Sequence, residues 1–337
     1  PEARGFTEYY GFLGGGHQYL PQTNKVTGTV ADWKIEYLAP LLKNGAEQPF
    51  DGYMTDLLSR EAADFVTRHK AEPFFLYLAY NAVHTPLQAP EPYLARLPNI
   101  ADPRRRTYAA MNIAMDDGIG HVLAALRDSG IEKNTLVWFI SDNGGPPTNV
   151  APTCNAPFRG HKGSLYEGGI HVPFALRWPA AIKPGTVIDA PVISLDIFAT
   201  ALAVADVKPA PGHAPDGLSL LPLLTGDASS FENRILHWRD GGSKANKWAI
   251  RQGSWKLVRS GTLAQPGPLE LGEVLGHRPR HRPVLADQHV RQPAGSALPG
   301  PLLPGVEGLA GLARATGHHH RADVRRLEHP ERGVGEV

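Results

Sequence analysis

The sequence predicts an α/β protein with a mainly parallel sheet flanked by helices and a small antiparallel sheet near the C-terminus. Residues 73–80 (PFFLYLAY) and 135–140 are apolar runs typical of buried strands, and a long amphipathic helix over residues 107–129 separates them. A β-α-β order of this kind predicts two parallel strands joined by a right-handed crossover. Later segments that alternate apolar and polar residues indicate an antiparallel sheet with one exposed face. These segments are residues 234–238, 247–251 and 254–259.

The helices are predicted from the spacing of their apolar residues. Residues 55–70 and 107–129 carry apolar side chains at intervals of three and four, and Gly130 follows the second run where a helix commonly ends. Residues 191–207 have the same character, and residues 170–178 (IHVPFALRW) indicate one more strand. Helices and strands thus alternate through most of the chain.

Polar side chains follow both predicted strands of the parallel sheet. His84 comes shortly after residues 73–80, and Asp142 and Asn143 come directly after residues 135–140. Ligands of open α/β sheets gather at the carboxyl ends of the strands, so we expect these three side chains at one edge. Carboxylate and amide oxygens suit Ca²⁺ or Mg²⁺. The sequence Asp-Asn-Gly-Gly is also a common tight turn, and the motif alone does not decide between the two.

Glycine-rich turns supply two further candidates. Lys162 lies in HKGSLYEGG, which places a compact cation in a turn. His17 lies in GFLGGGHQY, where it either lines a substrate cleft or is a solvated loop residue. Residues 21–51 are interpreted as a β-rich excursion that contributes to substrate selectivity. Residues 104–106, three consecutive arginines, are interpreted as a solvated face, with substrate contact as the alternative.

Composition and charge limit the classes of function. The chain has 337 residues, 42% of them apolar, and a formal net charge of +1, which suits a globular protein of two domains. This balance argues against a dominant surface for nucleic acid or membrane, and no apolar run is long enough to span a bilayer. Cys154 is the single cysteine, so no internal disulfide is possible, and it is interpreted as a loop residue.

Six segments of the chain form a specific set: GFTEYYGFLGGGH, PFFLYLAYNAVHTPLQAP, YAAMNIAMDDGIG, LVWFISDNGG, GHKGSLYEGGIHVPF and DGLSLLPLLTG. Together they resemble the formylglycine-dependent, arylsulfatase-like sulfatase family, and they cover roughly residues 4–260 in the family's order. The resemblance implies an alkaline-phosphatase-like fold and hydrolysis of a small-molecule or glycan sulfate ester. It also implies that Asp142 and Asn143 are metal ligands, that His84 contacts the sulfate and its leaving oxygen, and that Lys162 holds the sulfate.

The resemblance implies a nucleophile that these residues do not contain. In the family it is a formylglycine made from a Cys-x-Pro-x-Arg motif, and neither that motif nor the family's Gly-Lys-Trp-His-Leu-Gly segment occurs here. Cys154 lies in CNAPFR, which does not fit. The chain begins at Pro1 without a signal segment and is interpreted as a fragment lacking the N-terminal nucleophile motif. Periplasmic or extracellular localisation is expected from the resemblance alone.

Domain boundaries are predicted from changes in composition. Residues 1–228 are interpreted as a partial α/β catalytic domain and residues 229–261 as the small antiparallel sheet. Residues 262–337 lack aromatic residues and are crowded with Arg, Pro, Gly and His, so they are expected to be disordered. A shift of reading frame would explain this composition, a hypothesis that an intact frame on resequencing the gene would refute.

Two other functions compete with sulfate-ester hydrolysis. The first is a phosphatase or phosphodiesterase of the same superfamily, which commonly uses two metal ions. Lys162 supplies a positive charge where a second metal would otherwise be needed, and this favours one metal and a sulfate. The second is an inactive fragment or pseudo-enzyme, because the nucleophile motif is missing.

Overall fold

The computed structural model describes residues 1–21, 38–240, 247–261 and 266–274. They form two compact units. Unit 1 comprises Pro1–Ala156 and His171–Thr186, and unit 2 comprises Pro157–Ile170 and the described residues from Val187 onward. The units do not follow the predicted boundaries at residues 228 and 261, because the segment that contains Lys162 groups with the C-terminal sheet.

Unit 1 contains two small sheets and a pair of long helices. The predicted helices 55–70 and 107–129 are confirmed as α1 and α3, and no described helix has both the length and the apolar character needed to cross a membrane. Its elements are β1 (Tyr10–Gly11), β2 (Leu41–Lys43), β3 (Ala46–Gln48), α1 (Met54–Arg68), α2 (Glu91–Leu94), α3 (Pro103–Asp128), β4 (Val137–Ile140) and β5 (Phe174–Arg177). Strands β1, β2 and β3 form one antiparallel sheet in that order.

Strand β4 pairs with β5 in antiparallel register, so the predicted parallel sheet is wrong for the described residues. Ile140 lies opposite Phe174, and the amide of Ser141 continues the ladder by donating to the carbonyl of Pro173 at 3.2 Å. Two parallel strands are usually joined by a crossover connection that contains a long helix. The connection between β4 and β5 contains only a four-residue helix, Glu167–Ile170.

Residues 73–80 are extended but pair with no described strand, so the prediction of a buried strand there is wrong. Their side chains alternate in exposure, with Phe75 at 63% and Tyr77 at 71%. Leu78 and Tyr80, on the opposite face, pack against the core of unit 1. A strand requires a hydrogen-bonded neighbour, and the described residues supply none for this segment.

The core of unit 1 lies between α1 and α3. Met54 and Leu58 of α1 are buried against Met111 and Ala114 of α3, together with Tyr19. Met111 is therefore part of an apolar core, as the spacing along residues 107–129 predicts. Burial of such side chains contributes about 1.5–3 kcal/mol each, so the packing of α1 on α3 stabilises the unit.

Gly118 lies where α1 and α3 are in close contact. A Cβ atom at this position would overlap Ser59 Oγ and lie 3.0 Å from the hydroxyl oxygen of Tyr80. Ser59 Oγ donates to the carbonyl of Thr55 at 2.6 Å and lies 2.8 Å from the Tyr80 hydroxyl. This helix contact is therefore also a small hydrogen-bonded cluster, which includes Tyr80 of the extended segment 73–80.

Unit 2 is built on a four-stranded antiparallel sheet in the order β6-β7-β8-β9. Its elements are α4 (Glu167–Ile170), α5 (Leu195–Val204), α6 (Leu221–Leu224), α7 (Ser229–Glu232), β6 (Ile235–Asp240), β7 (Lys247–Gln252), β8 (Trp255–Gly261) and β9 (Pro266–Glu273). The three strands predicted in residues 234–259 are confirmed as β6, β7 and β8.

Strand β9 corrects the prediction that the chain is disordered from residue 262. Leu269 and Leu271 pair with Arg259 and Leu257 of β8, and Val274 is buried. The segment orders because the edge of β8 offers backbone groups for pairing, with one irregularity of register between Arg259 and Gly261, and the alternating leucines suit a pleated strand. The remainder of the predicted tail, residues 275–337, lies outside the described residues.

A buried ion pair joins the helical and sheet parts of unit 2. The Asp196 carboxylate is fully buried and accepts two hydrogen bonds from the Arg234 guanidinium, both at 2.7 Å. It also accepts from the amides of Ile193 and Leu218, both at 2.9 Å. These four donors compensate the carboxylate for its lost hydration, so Asp196 is a structural anchor of α5.

Replacing Gly118 with alanine should destabilise the protein. The new methyl group would overlap Ser59 and force α1 and α3 apart, and such overpacking costs about 1–3 kcal/mol. Gly120→Ala is the matched control, since its Cβ meets nothing within 4 Å, and it should stabilise helix α3 by about 0.5–1 kcal/mol. Equal melting temperatures for the two variants would contradict this account of the helix contact.

His69 should make stability depend on pH. Hydrogen bonds from its ring to Glu72 and to Glu8 raise the pKa of His69, and the hydrogen bond from His69 is the main cause of the lowered pKa of Glu8. The His69 contribution is complete below the ordinary histidine pKa of about 6.5 and disappears as the pH rises through the raised value. The Glu8 contribution is present above about pH 4.3 and disappears as the pH falls.

The free energy of unfolding should therefore decrease as the pH is raised from the ordinary histidine pKa of about 6.5 through the raised pKa of His69. Chemical denaturation at a series of pH values measures this slope. His69→Gln should flatten it, whereas His121→Gln, a change at an exposed position of α3, should leave it unchanged. An unaltered slope in His69→Gln would assign the pH dependence to other groups.

Candidate active site

The loop after β4 presents two oxygen atoms that are free among the described residues. Asp142 is exposed, and its Oδ1 accepts from the amide of Asn143 at 2.9 Å. The Asn143 side chain donates through Nδ2 to the carbonyl of Gly144 at 3.0 Å, and Ser141 Oγ donates to the Asn143 carbonyl at 3.0 Å. Asp142 Oδ2 and Asn143 Oδ1 accept no hydrogen bond from the described part of the chain.

Asn155 holds this loop through a pair of hydrogen bonds to one residue. The amide of Gly145 donates to Asn155 Oδ1 at 2.8 Å, and Asn155 Nδ2 donates to the Gly145 carbonyl at 2.9 Å. Thr153 Oγ1 donates to the Pro146 carbonyl at 2.6 Å, and a Cβ at Gly145 would lie 2.6 Å from Thr153 Cβ. The neighbouring Cys154 is exposed, as expected of a loop residue.

The donor atoms of Asp142 and Asn143 fit a hard divalent cation, although they supply only part of its coordination shell. Both offer oxygen rather than sulfur or nitrogen, which suits Ca²⁺ or Mg²⁺. Ca²⁺ takes about six to eight oxygen ligands, and the described residues contain no group of three or more His, Cys, Asp or Glu side chains that could hold a metal. Any such ion would need further ligands from substrate, water or other parts of the protein.

His84 is exposed with one ring nitrogen available. Its Nδ1 lies 2.7 Å from the carbonyl oxygen of Thr85, and because a carbonyl can only accept, Nδ1 carries a hydrogen. The backbone amide of His84 donates to the carbonyl of Asn81 at 2.8 Å. The ring is thus oriented by its own loop, and Nε2 is the atom that can act on a ligand.

Tyr19 fixes the backbone of the His84 loop from inside the core. Its side chain is fully buried, and its hydroxyl bonds to the carbonyl oxygens of Asn81 and His84, the latter at 3.0 Å. The Tyr19 amide donates to the side chain of Gln88 at 2.8 Å, and Tyr53 donates to the Gln88 carbonyl at 3.0 Å. Sequence reasoning missed this support, since Tyr19 appears there only as an aromatic residue beside a glycine-rich turn.

His17 is packed rather than open. It is 3% exposed, and its ring lies 4.9 Å from that of Phe12 and 5.1 Å from that of Phe50. Its Nδ1 lies 2.7 Å from the carbonyl of Gln18, and its Nε2 lies 2.8 Å from the carbonyl of Ala39. Both ring nitrogens already face backbone oxygens. The predicted contact of His17 with substrate stays a prediction.

Lys162 lies in a tight turn of unit 2 that two glycines allow to close. The amide of Gly168 donates to the Arg159 carbonyl at 2.7 Å. A Cβ at Gly169 would overlap the carbonyl of Ser164, and one at Gly168 would lie 2.7 Å from the Arg159 oxygen. The Lys162 ammonium forms no ion pair with any described residue, so its charge is available to an anionic ligand.

The C-terminal sheet supports the Lys162 turn with charged contacts. Lys256 Nζ lies 2.5 Å from a carboxylate oxygen of Glu167, at the start of α4. Glu270 of β9 accepts from Arg159 at 2.7 Å and from the Tyr166 hydroxyl at 2.9 Å. Burial lowers the pKa of Lys256, and the Glu167 carboxylate opposes that effect. Sequence reasoning missed this support because Glu270 lies in the segment expected to be disordered.

The predicted site residues are divided between the two units. His17, His84, Asp142 and Asn143 belong to unit 1, and Lys162 belongs to unit 2. Unit 1 contains the exposed His84 and the loop that carries Asp142 and Asn143. Both present polar side-chain atoms that form no hydrogen bond with a described residue.

Comparison with known proteins decides the family. A family model described as Sulfatase matches residues 1–207. The chain belongs to the sulfatase family. A second model, described as N-sulphoglucosamine sulphohydrolase, C-terminal, matches residues 160–265 of this sulfatase. The two matches overlap at the Lys162 turn.

Curated relatives are longer than this sulfatase chain. Steryl-sulfatase of Mus musculus is 36% identical over 219 residues, which cover 63% of the chain and 34% of the relative. N-acetylgalactosamine-6-sulfatase of Rattus norvegicus is 30% identical over 319 residues, which cover 89% of the chain and 58% of the relative. The chain thus spans between one third and three fifths of the length of these proteins.

Solved structures share the fold of this chain. The crystal structure of Ps i-CgsB is 38% identical, with a TM-score of 0.73, and the match covers 81% of this chain and 61% of that chain. The same protein in complex with k-i-k-neocarrahexaose is 37% identical, with a TM-score of 0.72, and covers 80% and 60%. The expected sulfatase fold is confirmed at this level.

Removing the Tyr19 hydroxyl should loosen the His84 loop. Tyr19→Phe removes the hydroxyl donor to the His84 carbonyl and leaves the Asn81 carbonyl only the donor from the His84 amide, which costs about 1–3 kcal/mol. Hydrogen exchange at residues 81–88 should become faster. Tyr77→Phe is the matched control, because that ring is 71% exposed, and it should leave the exchange of this loop unchanged. Equal exchange in both variants would show that Tyr19 does not support the loop.

Proposed function

We propose that this chain forms part of a divalent-metal-dependent enzyme that hydrolyses sulfate esters of glycans. The observation that carries the proposal is the loop after β4, where Asp142 and Asn143 each have one side-chain oxygen that bonds to no described residue and can face a cation. Membership of the sulfatase family gives these oxygens a chemical purpose. The tight turn alone would not require an exposed carboxylate beside an unengaged amide oxygen.

His84 is proposed to act on the leaving oxygen. Its Nδ1 hydrogen is committed to the Thr85 carbonyl, so a proton for the ligand must be carried on Nε2. An imidazole can exchange a proton near neutral pH, and protonation of the leaving oxygen removes the charge that develops when the S–O bond breaks. The hydrogen bonds from Tyr19 keep the backbone of this loop in place during that transfer.

Lys162 is proposed to neutralise the sulfate group. Its ammonium is not used by any ion pair among the described residues, and it stands on a turn that the C-terminal sheet holds rigid. A fixed positive charge near the sulfuryl oxygens stabilises the charge distribution of the transition state more than that of the ester. Because the turn is rigid, this stabilisation needs no reorganisation during the reaction.

Asp142 and Asn143 would hold Ca²⁺ or Mg²⁺ through Oδ2 and Oδ1. Such an ion supplies Lewis-acid polarisation of the sulfuryl oxygens when it is bound. The nucleophile, a formylglycine by family resemblance, is proposed to lie outside these 337 residues, because no Cys-x-Pro-x-Arg motif occurs in them. The residues described above would therefore bind, orient and protonate the ester.

A glycan substrate is favoured over a small aryl sulfate by two relatives. One is described as N-acetylgalactosamine-6-sulfatase, and the other was solved in complex with k-i-k-neocarrahexaose. Both descriptions refer to a sugar. The pocket beside His84, about 460 Å³ in volume, has a size suited to a small ligand such as a sugar unit.

Hydrolysis of p-nitrophenyl sulfate by the longer gene product, extended upstream through its Cys/Ser-x-Pro-x-Arg motif, tests the proposal. We expect turnover that depends on Ca²⁺ or Mg²⁺ and is abolished by a chelator. Asp142→Asn, His84→Gln and Lys162→Gln should each lower kcat/KM by about a hundredfold or more, since each removes charge stabilisation or proton transfer at the reacting group.

Matched variants separate these roles from general effects of charge. Asp128→Asn, His121→Gln and Lys183→Gln change the same residue types at exposed positions and should retain full activity. Hydrolysis of a phosphate ester without any sulfate ester would replace the proposal with a phosphatase or phosphodiesterase. Absence of both activities in the longer product would support an inactive pseudo-enzyme.

A further inference from the structure

An open pocket lies in unit 1 directly beside the His84 loop. Its volume is about 460 Å³, and its walls come from three segments: residues 85–87, the first two turns of α3, and Val150. Residues 85–87 follow His84 without a break, and Val150 lies in the loop that begins with Asp142 and Asn143. The pocket is therefore bounded by both segments of unit 1 that carry proposed catalytic or metal-binding side chains.

Arg104 is the charged residue of this pocket. The other lining residues are Thr85, Pro86, Leu87, Pro103, Thr107 and Val150, so no carboxylate of the described residues lines the cavity. Asp102, at the N-cap of α3, is the nearest acid in sequence, and its Oδ1 accepts from the amide of Arg105 at 2.6 Å. The pocket thus combines a neutral wall with one guanidinium.

The Arg104 side chain is held in place by one hydrogen bond, and its other N–H donors bond to no described residue. One nitrogen, Nη2, donates to the carbonyl of Val150 at 2.8 Å, and the side chain is otherwise exposed. A guanidinium has five N–H donors, so most of its donors stay available. The next residue, Arg105, donates to the carbonyl of Pro152 at 2.6 Å, so two arginines fasten α3 to this loop. A fixed guanidinium loses less freedom on binding an anion than a mobile one.

We infer that this pocket is a subsite for a second sulfate group, carried by the sugar next to the one whose sulfate ester is cleaved, and that Arg104 determines this specificity. The inference rests on the proposed function, because it assumes that the scissile ester lies at His84. Guanidinium groups bind tetrahedral oxyanions through paired N–H···O contacts, and a sugar-sized pocket with one such group suits a multiply sulfated glycan. A small aryl sulfate has no group that reaches Arg104.

Kinetics with two substrates test the subsite in the longer gene product. p-Nitrophenyl sulfate reports the reacting centre alone, and k-i-k-neocarrahexaose reports the reacting centre and neighbouring sugars. Arg104→Gln should raise KM for the hexaose by about tenfold, the loss expected for one charge-assisted hydrogen bond, and leave kcat/KM for p-nitrophenyl sulfate within twofold. Added salt should reduce the difference between wild type and variant, since it screens an exposed charge pair.

Two variants control for the loss of the hydrogen bond from Arg104 to the Val150 carbonyl. Arg104→Lys keeps the charge without the paired donors and should give an intermediate KM. Arg127→Gln removes an exposed arginine at the other end of α3 and should change neither substrate. If the hexaose is not cleaved, its inhibition constant against p-nitrophenyl sulfate provides the same comparison.

The possible results separate the subsite from the proposed function. An equal effect of Arg104→Gln on both substrates would make Arg104 a support of the loop and overturn the subsite. The subsite is also overturned if the variant affects neither substrate, or if the hexaose neither reacts nor inhibits. Absence of any sulfatase activity in the wild-type longer gene product would instead refute the proposed function, and the subsite with it.

Discussion

The close contact between α1 and α3 at Gly118 is the constraint on which unit 1 depends. Ser59 of α1 occupies the space that a larger residue at Gly118 would need, and it also meets the hydroxyl of Tyr80. Tyr80 ends the extended segment that leads into the His84 loop. At the far end of α3, Arg104 binds the loop that follows Asn143. One helix pair therefore sets the positions of both polar segments of the unit.

The sequence predicted the elements whose causes are local. Helices α1 and α3 follow from apolar side chains at intervals of three and four, a pattern that is complete within one segment. Strand pairing joins residues far apart in the chain, and no local sequence pattern specifies which two strands will pair. The β-α-β order suggested a parallel pair, whereas β4 found its partner in β5, at Phe174–Arg177, with the opposite direction.

For the candidate site, the sequence predicted the residues proposed to act on the ligand but not the residues that hold them in place. His84, Asp142, Asn143 and Lys162 were predicted because their residue types and turns resemble a known family. Their supports were not, because Tyr19 and Asn155 act through hydrogen bonds to backbone groups that only coordinates reveal. Glu270 was hidden by the average composition of the tail, although Leu269 and Leu271 on either side already alternate as in a strand.

The extended segment 73–80 also affects how the protein behaves in solution. Its exposed face carries Phe75 and Tyr77, and no backbone group in the segment bonds to another described backbone group. An apolar face beside unpaired amides and carbonyls is a template for pairing between molecules, and no charged residue interrupts it. The 337-residue chain should therefore self-associate more strongly as its concentration rises. Light scattering on a dilution series would reveal this association. Enzyme assays are therefore best run at low protein concentration, where this surface does not meet its own copy.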